Sequence, residues 1–219
     1  MSLSKTGRES RKARLVTNHS GVWGSSSQDF VCLASMLFAH SAAYAAGAGG
    51  NSSPYALAGI PTLLSAVRCL LIEVNTPMYG IAGNAGRLNE IAGKQNEINI
   101  ILAHYPIPPH LRDDLELLVQ VRNEIAHPSH RPGGEQNNSP AYLKPLRDAG
   151  LLQSTGAETD YIWLSQLQSH RLFIWAFEVI ESTVSIILNE HGLEQSIVQG
   201  LLASYTRYRQ GELSGRGHR

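Results

Sequence analysis

Cysteine is nearly absent from this 219-residue chain. The two that occur, Cys32 and Cys69, lie inside apolar stretches with no Cys-x-x-Cys or Cys/His spacing around them. A disulfide framework and a zinc site are therefore not indicated, and both read as buried thiols in a reducing, cytoplasmic compartment. Alternating apolar and polar runs are missing too, as are Asn-Gly and Asp-Gly dipeptides and any repeat of fixed period. Strands, tight hairpins and solenoids drop out with them. No run reaches the roughly 20 uninterrupted apolar residues of a membrane span; Arg68 and Glu73 interrupt the best candidate. His127 and His130 are too isolated to hold a metal ion.

What is present suits one globular domain: 42% apolar and 16% charged residues at a length that can bury a sizeable core. The net charge of zero is unevenly spread. Residues 1–14 carry +4 and residues 207–219 carry +3, which leaves −7 on the body between them. An acidic body with two basic ends lacks the broad electropositive surface of a protein that grips nucleic acid through many phosphates. The expected division is a basic tail over 1–27, a helical domain over 28–205 and a second basic tail over 206–219. Basic residues 8–14 ahead of "FVCLASMLFAHSAAYAAGAGG" mimic a secretory signal, but Asp29 and a polar spacer intervene and His40 breaks the apolar run.

The pattern is helical throughout. Helices are expected over about 28–46, with Ser27 as cap, and over about 54–75, opened by Ser53-Pro54, with Pro61 delaying or kinking its start. Asn84 can cap a third helix lasting to about His104, where "YPIPPH" stops it. Pro109 opens a fourth that runs into "VRNEIAHPSH". Ser139-Pro140 begins a short helix closed by Gly150, and a long last helix covers about 161–190. In that helix Phe173, Phe177, Ile180, Val184 and Ile187 recur at four-three spacing, which marks a packing seam. The fold class is all-α, a bundle of four to five helices running up and down.

On the fourth helix, Leu111, Leu115, Leu118 and Arg122 fall within roughly 40° of one line, so Arg122 takes the next core-facing position. An unpaired charge there costs several kcal/mol, so an anion must meet it. One reading is structural: Glu73 or another acidic residue of a neighbouring helix pairs with Arg122, while His127 caps the helix end and Pro128 stops it. The Arg-x4-His spacing is weak by itself, since Arg14 and His19 repeat it in a tail without a scaffold. Its context is less ordinary, because "RNEIAHP" closes an amphipathic helix and His127 follows Asn123 by four residues.

This segment resembles the HEPN superfamily, α-helical bundles in which an Arg-x4–6-His motif, often with Asn after the Arg, forms the active site of metal-independent endoribonucleases. "SAVRCLLIEVN", 65–75, looks like that family's second helix, ending in Glu73 and Asn75, and the later "YLKPLRDAGLL" and "YIWLSQLQSHRLFIWAFEVI" fit its closing elements. The likeness spans about residues 28–190, and only the Arg-Asn-x-x-x-His segment is specific. It implies His127 as the acid/base group, Arg122 as phosphate ligand, Asn123 as the residue that orients the imidazole, and Glu73 as a supporting residue or a helix-to-helix ion-pair partner. It implies no cofactor and no metal, RNA as substrate, and a homodimer, because Arg122 and His127 stand roughly 140° apart on an undistorted helix and two motifs would have to line one cleft. A toxin or defence role, with an antitoxin or defence-system partner, follows from the same likeness, with no membrane involved. One branch of the family has a Tyr two residues after the His; here Ser129 stands there, so modification of such a Tyr is not expected. The alternative is a non-catalytic bundle of the same kind that binds nucleotide, RNA or a protein partner.

Overall fold

The computed structural model describes residues 26–48, 50–76, 83–93, 96–127, 140–153, 163–193 and 195–206. Residues 1–25 and 207–219, which hold every charge of the two basic tails, and Pro128, Ser129 and His130 lie outside them, whereas Ser26, Ser27 and Thr206 belong to helices and not to tails. Among the described residues the chain is all-α, with nine helices and no strand. These are α1 (Ser26–Gly47), α2 (Tyr55–Asn75), α3 (Ala85–Ala92), α4 (Glu97–His104), α5 (Pro109–Ala126), α6 (Leu143–Asp148), α7 (Trp163–Gln166), α8 (His170–Glu190) and α9 (Gln195–Thr206).

α2 is the central element. It packs on α1, α3, α4, α5 and α8, while α9 covers α8 and α1. The four-three seam of α8 lies in the core: Phe173, Phe177, Ile180, Val184 and Ile187 are all fully buried. Phe38 of α1 meets both Phe173 and Phe177 edge-on, with ring centroids 5.3 Å apart in each pair, an arrangement that aligns a positive ring edge with a negative face. α2 and α8 approach closely at Gly59, where an added Cβ would overlap the Phe173 ring.

The directions of the main helices follow from their ties. Glu73, near the end of α2, accepts hydrogen bonds from the amide (3.0 Å) and hydroxyl (2.7 Å) of Ser27 at the start of α1, so these two helices are antiparallel. The Ser41 hydroxyl, late in α1, meets His170 Nδ1 at the start of α8 at 2.9 Å, so α1 also opposes α8. The loop before α2 is sewn to the α8 start: Asn51 accepts from the His170 and Arg171 amides and donates to the Ser169 hydroxyl, and the Ser53 amide donates to the Gln168 carbonyl.

Several expected boundaries hold for the expected reasons. Asn84 caps α3 by accepting from the Arg87 amide, and Pro109 opens α5, where a missing N–H costs nothing. Gly150, at φ +68°, closes the turn after α6. Others move. Pro61 neither delays nor ends α2, which runs unbroken from Tyr55. The expected third helix divides into α3 and α4, with Gly93 capping the first and the Asn96 side chain accepting from the Ile98 amide to start the second. The long last helix also divides, because Ser169 adopts an extended conformation and caps α8 through the Leu172 amide. α9 was not expected, and it buries Val198, Leu201 and Tyr205.

Two further expectations are corrected. Cys32 and Cys69 are half-buried rather than buried, and neither forms a disulfide. By length and composition α1, α2 and α8 are each apolar enough to cross a membrane, with mean hydropathy of 1.4, 1.7 and 1.5 over their most apolar stretches. Isolated polar residues such as Arg68 and Glu73 therefore do not bring a helix below that threshold. α2 and α8 bury half or more of those stretches inside the protein, whereas α1 buries 28% and exposes Phe30, Leu33, Met36 and Tyr44.

Candidate functional site

Leu111, Leu115, Leu118 and Val121 sink the inner face of α5 into the core, and Arg122 emerges at the margin of that face. Its head meets Glu97, with Nη2 at 3.2 Å from Oε1 and a side chain that stays 29% exposed. From the other side Arg68 of α2 approaches, its Nη1 at 3.7 Å from Oε2 of the same carboxylate. A second nitrogen of Arg68 donates to the Ile91 carbonyl at the end of α3 at 2.7 Å. Glu97 itself is 6% exposed.

The placement of Glu97 has a local cause. It is the first residue of α4, directly after the Asn96 cap, where the helix dipole favours a negative side chain. Burying a carboxylate needs charged partners, and two guanidinium groups supply them. The three side chains together carry a net charge of +1, and α2, α4 and α5 each contribute one. Arg122 Nε is buried and meets no acceptor among the described residues.

The need for an acidic partner at Arg122 was thus readable, but Glu97 supplies it. Glu73 serves a different junction, the Ser27 tie between α1 and α2. Next to it, burial first and the Glu73 carboxylate second push the Cys69 thiol above its ordinary value, with Arg68 pulling the other way, so the thiol is held protonated and is a poor nucleophile.

Asn123 and His127 are exposed. The His127 amide still donates to the Asn123 carbonyl at 2.8 Å, but His127 is the C-cap of α5, with φ −138° and ψ 71°. That turn takes the residue off the helical path, and no hydrogen bond joins the Asn123 amide side chain to the imidazole among the described residues. Within one chain Arg122 faces Glu97 while Asn123 and His127 face solvent, so a single copy leaves the three groups unassembled.

No protein-family model, curated protein or solved structure matches the chain.

Sequence reasoning missed a second polar cluster. At the far end of α2, Tyr105 Oη lies 2.8 Å from His191 Nε2, and Asn75 Nδ2 and Arg87 Nη1 approach the same oxygen at 3.4 and 3.5 Å. The Arg87 guanidinium also stands 5.0 Å above the Tyr105 ring. Burial, then the Arg87 charge, hold His191 below its ordinary pKa, with Glu190 opposing. A neutral His191 accepting from the Tyr105 hydroxyl satisfies this geometry. No motif spacing announces the cluster, because its members come from four separate segments.

A groove of about 680 Å³ between α8 and α9 is lined by Glu178, Glu181, Ser182, Ser185 and Gln199, with Thr206 at its end. It contains none of the predicted site residues, and its two carboxylates repel a phosphate. No group of His, Cys, Asp and Glu among the described residues is arranged to hold a metal ion.

Proposed function

We propose that this protein is a metal-independent endoribonuclease of the HEPN type, acting in the cytoplasm as a homodimer in the manner of a toxin or defence effector. One observation carries the reading: α5 holds a permanently charged guanidinium at the protein surface, fixed by a buried carboxylate, five residues ahead of an exposed imidazole. An arginine so placed binds two phosphate oxygens and stabilises the charge that gathers on phosphorus. A histidine accepts the proton of a ribose 2′-hydroxyl, the 2′-oxygen bonds to phosphorus, and the 5′-oxygen departs with a proton returned by an imidazolium. The products are a 2′,3′-cyclic phosphate and a free 5′-hydroxyl.

The separation of Arg122 and His127 along α5 is the reason for the dimer. With two copies facing each other, Arg122 of one and His127 of the other can serve one phosphate, and Asn123 lines the same cleft. An antitoxin or another defence-system protein is the expected partner that covers it. Incubating the purified protein with RNA in EDTA tests the reading. Wild type is expected to cleave, and His127→Ala to cleave at least about a hundredfold more slowly; equal cleavage by both, or none by either, removes the assignment.

A second reading is favoured by the ion pair itself. Glu97 already answers the need of Arg122 for an anion, as a purely structural arginine requires. The protein would then be a non-catalytic bundle that binds nucleotide, RNA or a protein partner, and the same assay would show no cleavage by either version.

A further inference from the structure

We propose that Arg68 and Arg122, held on either side of Glu97, form a two-guanidinium clamp for a backbone phosphate of single-stranded RNA, with Glu97 as its positioning residue. This deepens the nuclease reading and takes its substrate class from it. The geometry that carries it is specific. Each guanidinium meets a different oxygen of one buried carboxylate, at 3.2 and 3.7 Å, so Glu97 sets how far apart the two charges stand.

Both heads keep an edge in solvent, at 29% exposure for Arg122 and 35% for Arg68, while the carboxylate between them is 8% exposed. An approaching anion therefore meets two positive charges first and the negative one only beneath them. Holding the side chains in place beforehand removes ordering entropy that flexible arginines would lose on binding. One arginine is enough to neutralise Glu97, and Arg68 also ties the end of α3 through the Ile91 carbonyl. The three side chains together sum to one positive charge, the sign that a phosphate needs.

The test uses the full chain and a short single-stranded RNA in which every 2′-hydroxyl is methylated, so that binding is read without cleavage. Affinity is measured across a salt series for wild type, Arg68→Gln, Arg122→Gln, the double variant and Glu97→Gln, with thermal melts to confirm folding. Each arginine variant is expected to bind about tenfold or more weakly and to flatten the dependence of log affinity on log salt by about 0.7. The double variant should lose less than the product of the two single losses, because both contact one phosphate. Glu97→Gln should weaken binding while leaving the salt dependence near that of wild type, since both charges remain. If Arg68→Gln does not fold, Arg68→Lys replaces it, with unchanged salt dependence and a several-fold weaker affinity expected.

Unchanged affinity and salt dependence in the Arg68 variants, or no binding by wild type, overturns the clamp. Cleavage of unmodified RNA by wild type alongside an indifferent Arg68 sinks the clamp and leaves the nuclease standing. Clamp-dependent binding without cleavage does the reverse.

Discussion

Two polar clusters flank the face of α2 that carries Arg68 and Asn75, seven residues apart, and they differ in how much of each reaches solvent. At Arg68, Glu97 and Arg122 the groups are charged, two of the three reach solvent, and the sum is +1. At Asn75, Tyr105 and His191 the groups lie deeper, Tyr105 being 5% exposed and Asn75 fully buried, and the one charge, on Arg87, stands over the tyrosine ring and 3.5 Å from its hydroxyl. A cluster whose shared hydroxyl is buried has little to offer an outside partner. One that keeps charge at the surface retains something to offer a ligand. The Tyr105 cluster thus suits holding the fold together, and the more exposed one is where the proposed phosphate clamp is placed.

The sharpest way to break this contrast is at Tyr105. Tyr105→Phe leaves His191, Asn75 and Arg87 without a common partner, so stability should fall by about 1–3 kcal/mol, read by denaturant unfolding, with RNA cleavage per folded molecule unchanged. A loss of cleavage without loss of stability would make this cluster part of the site. Glu97→Gln should act the other way round. Its stability loss is smaller, about 1 kcal/mol, because solvent already screens both arginines, but RNA binding should suffer visibly.

The smallest expected effect is on acid stability. Folding lowers the His191 pKa, so between the ordinary value near 6.5 and the lower folded value the unfolded chain binds more protons. Stability from this residue is complete above about 6.5 and is lost as pH falls through the folded value. The melting temperature should therefore drop on mild acidification, and His191→Gln should drop less over the same interval. Identical slopes for the two proteins would remove His191 from the account.

Legibility in sequence followed the range of the forces involved. The α8 seam was readable because four-three spacing alone decides which residues share a helix face, and all five of its members are buried. The same three-four spacing in Val198, Leu201 and Tyr205, past Gly192, marks the buried face of α9. Breaks at Gly93 and Ser169 were harder to see, since the polar stretches 93–97 and 168–171 are short enough to be the outer face of a continuing helix and capping geometry is what ends the helices there. At the site, Arg122 was identifiable from its position in line with Leu111, Leu115 and Leu118. Glu97 and Arg68 were not, because they lie on other helices and no spacing rule connects them.

The order of residues was enough to determine that this chain is helical, which faces of α5 and α8 turn inward, and that a charge at Arg122 requires an opposite charge nearby. Each of these depends on periodicity or on the cost of desolvating an ion, and both act within a turn or two of helix. Only the tertiary structure decided that Glu97 and not Glu73 meets the guanidinium, and that Arg68 shares the same carboxylate. Those outcomes depend on where separate helices cross, and crossing is settled by how whole side-chain surfaces interlock.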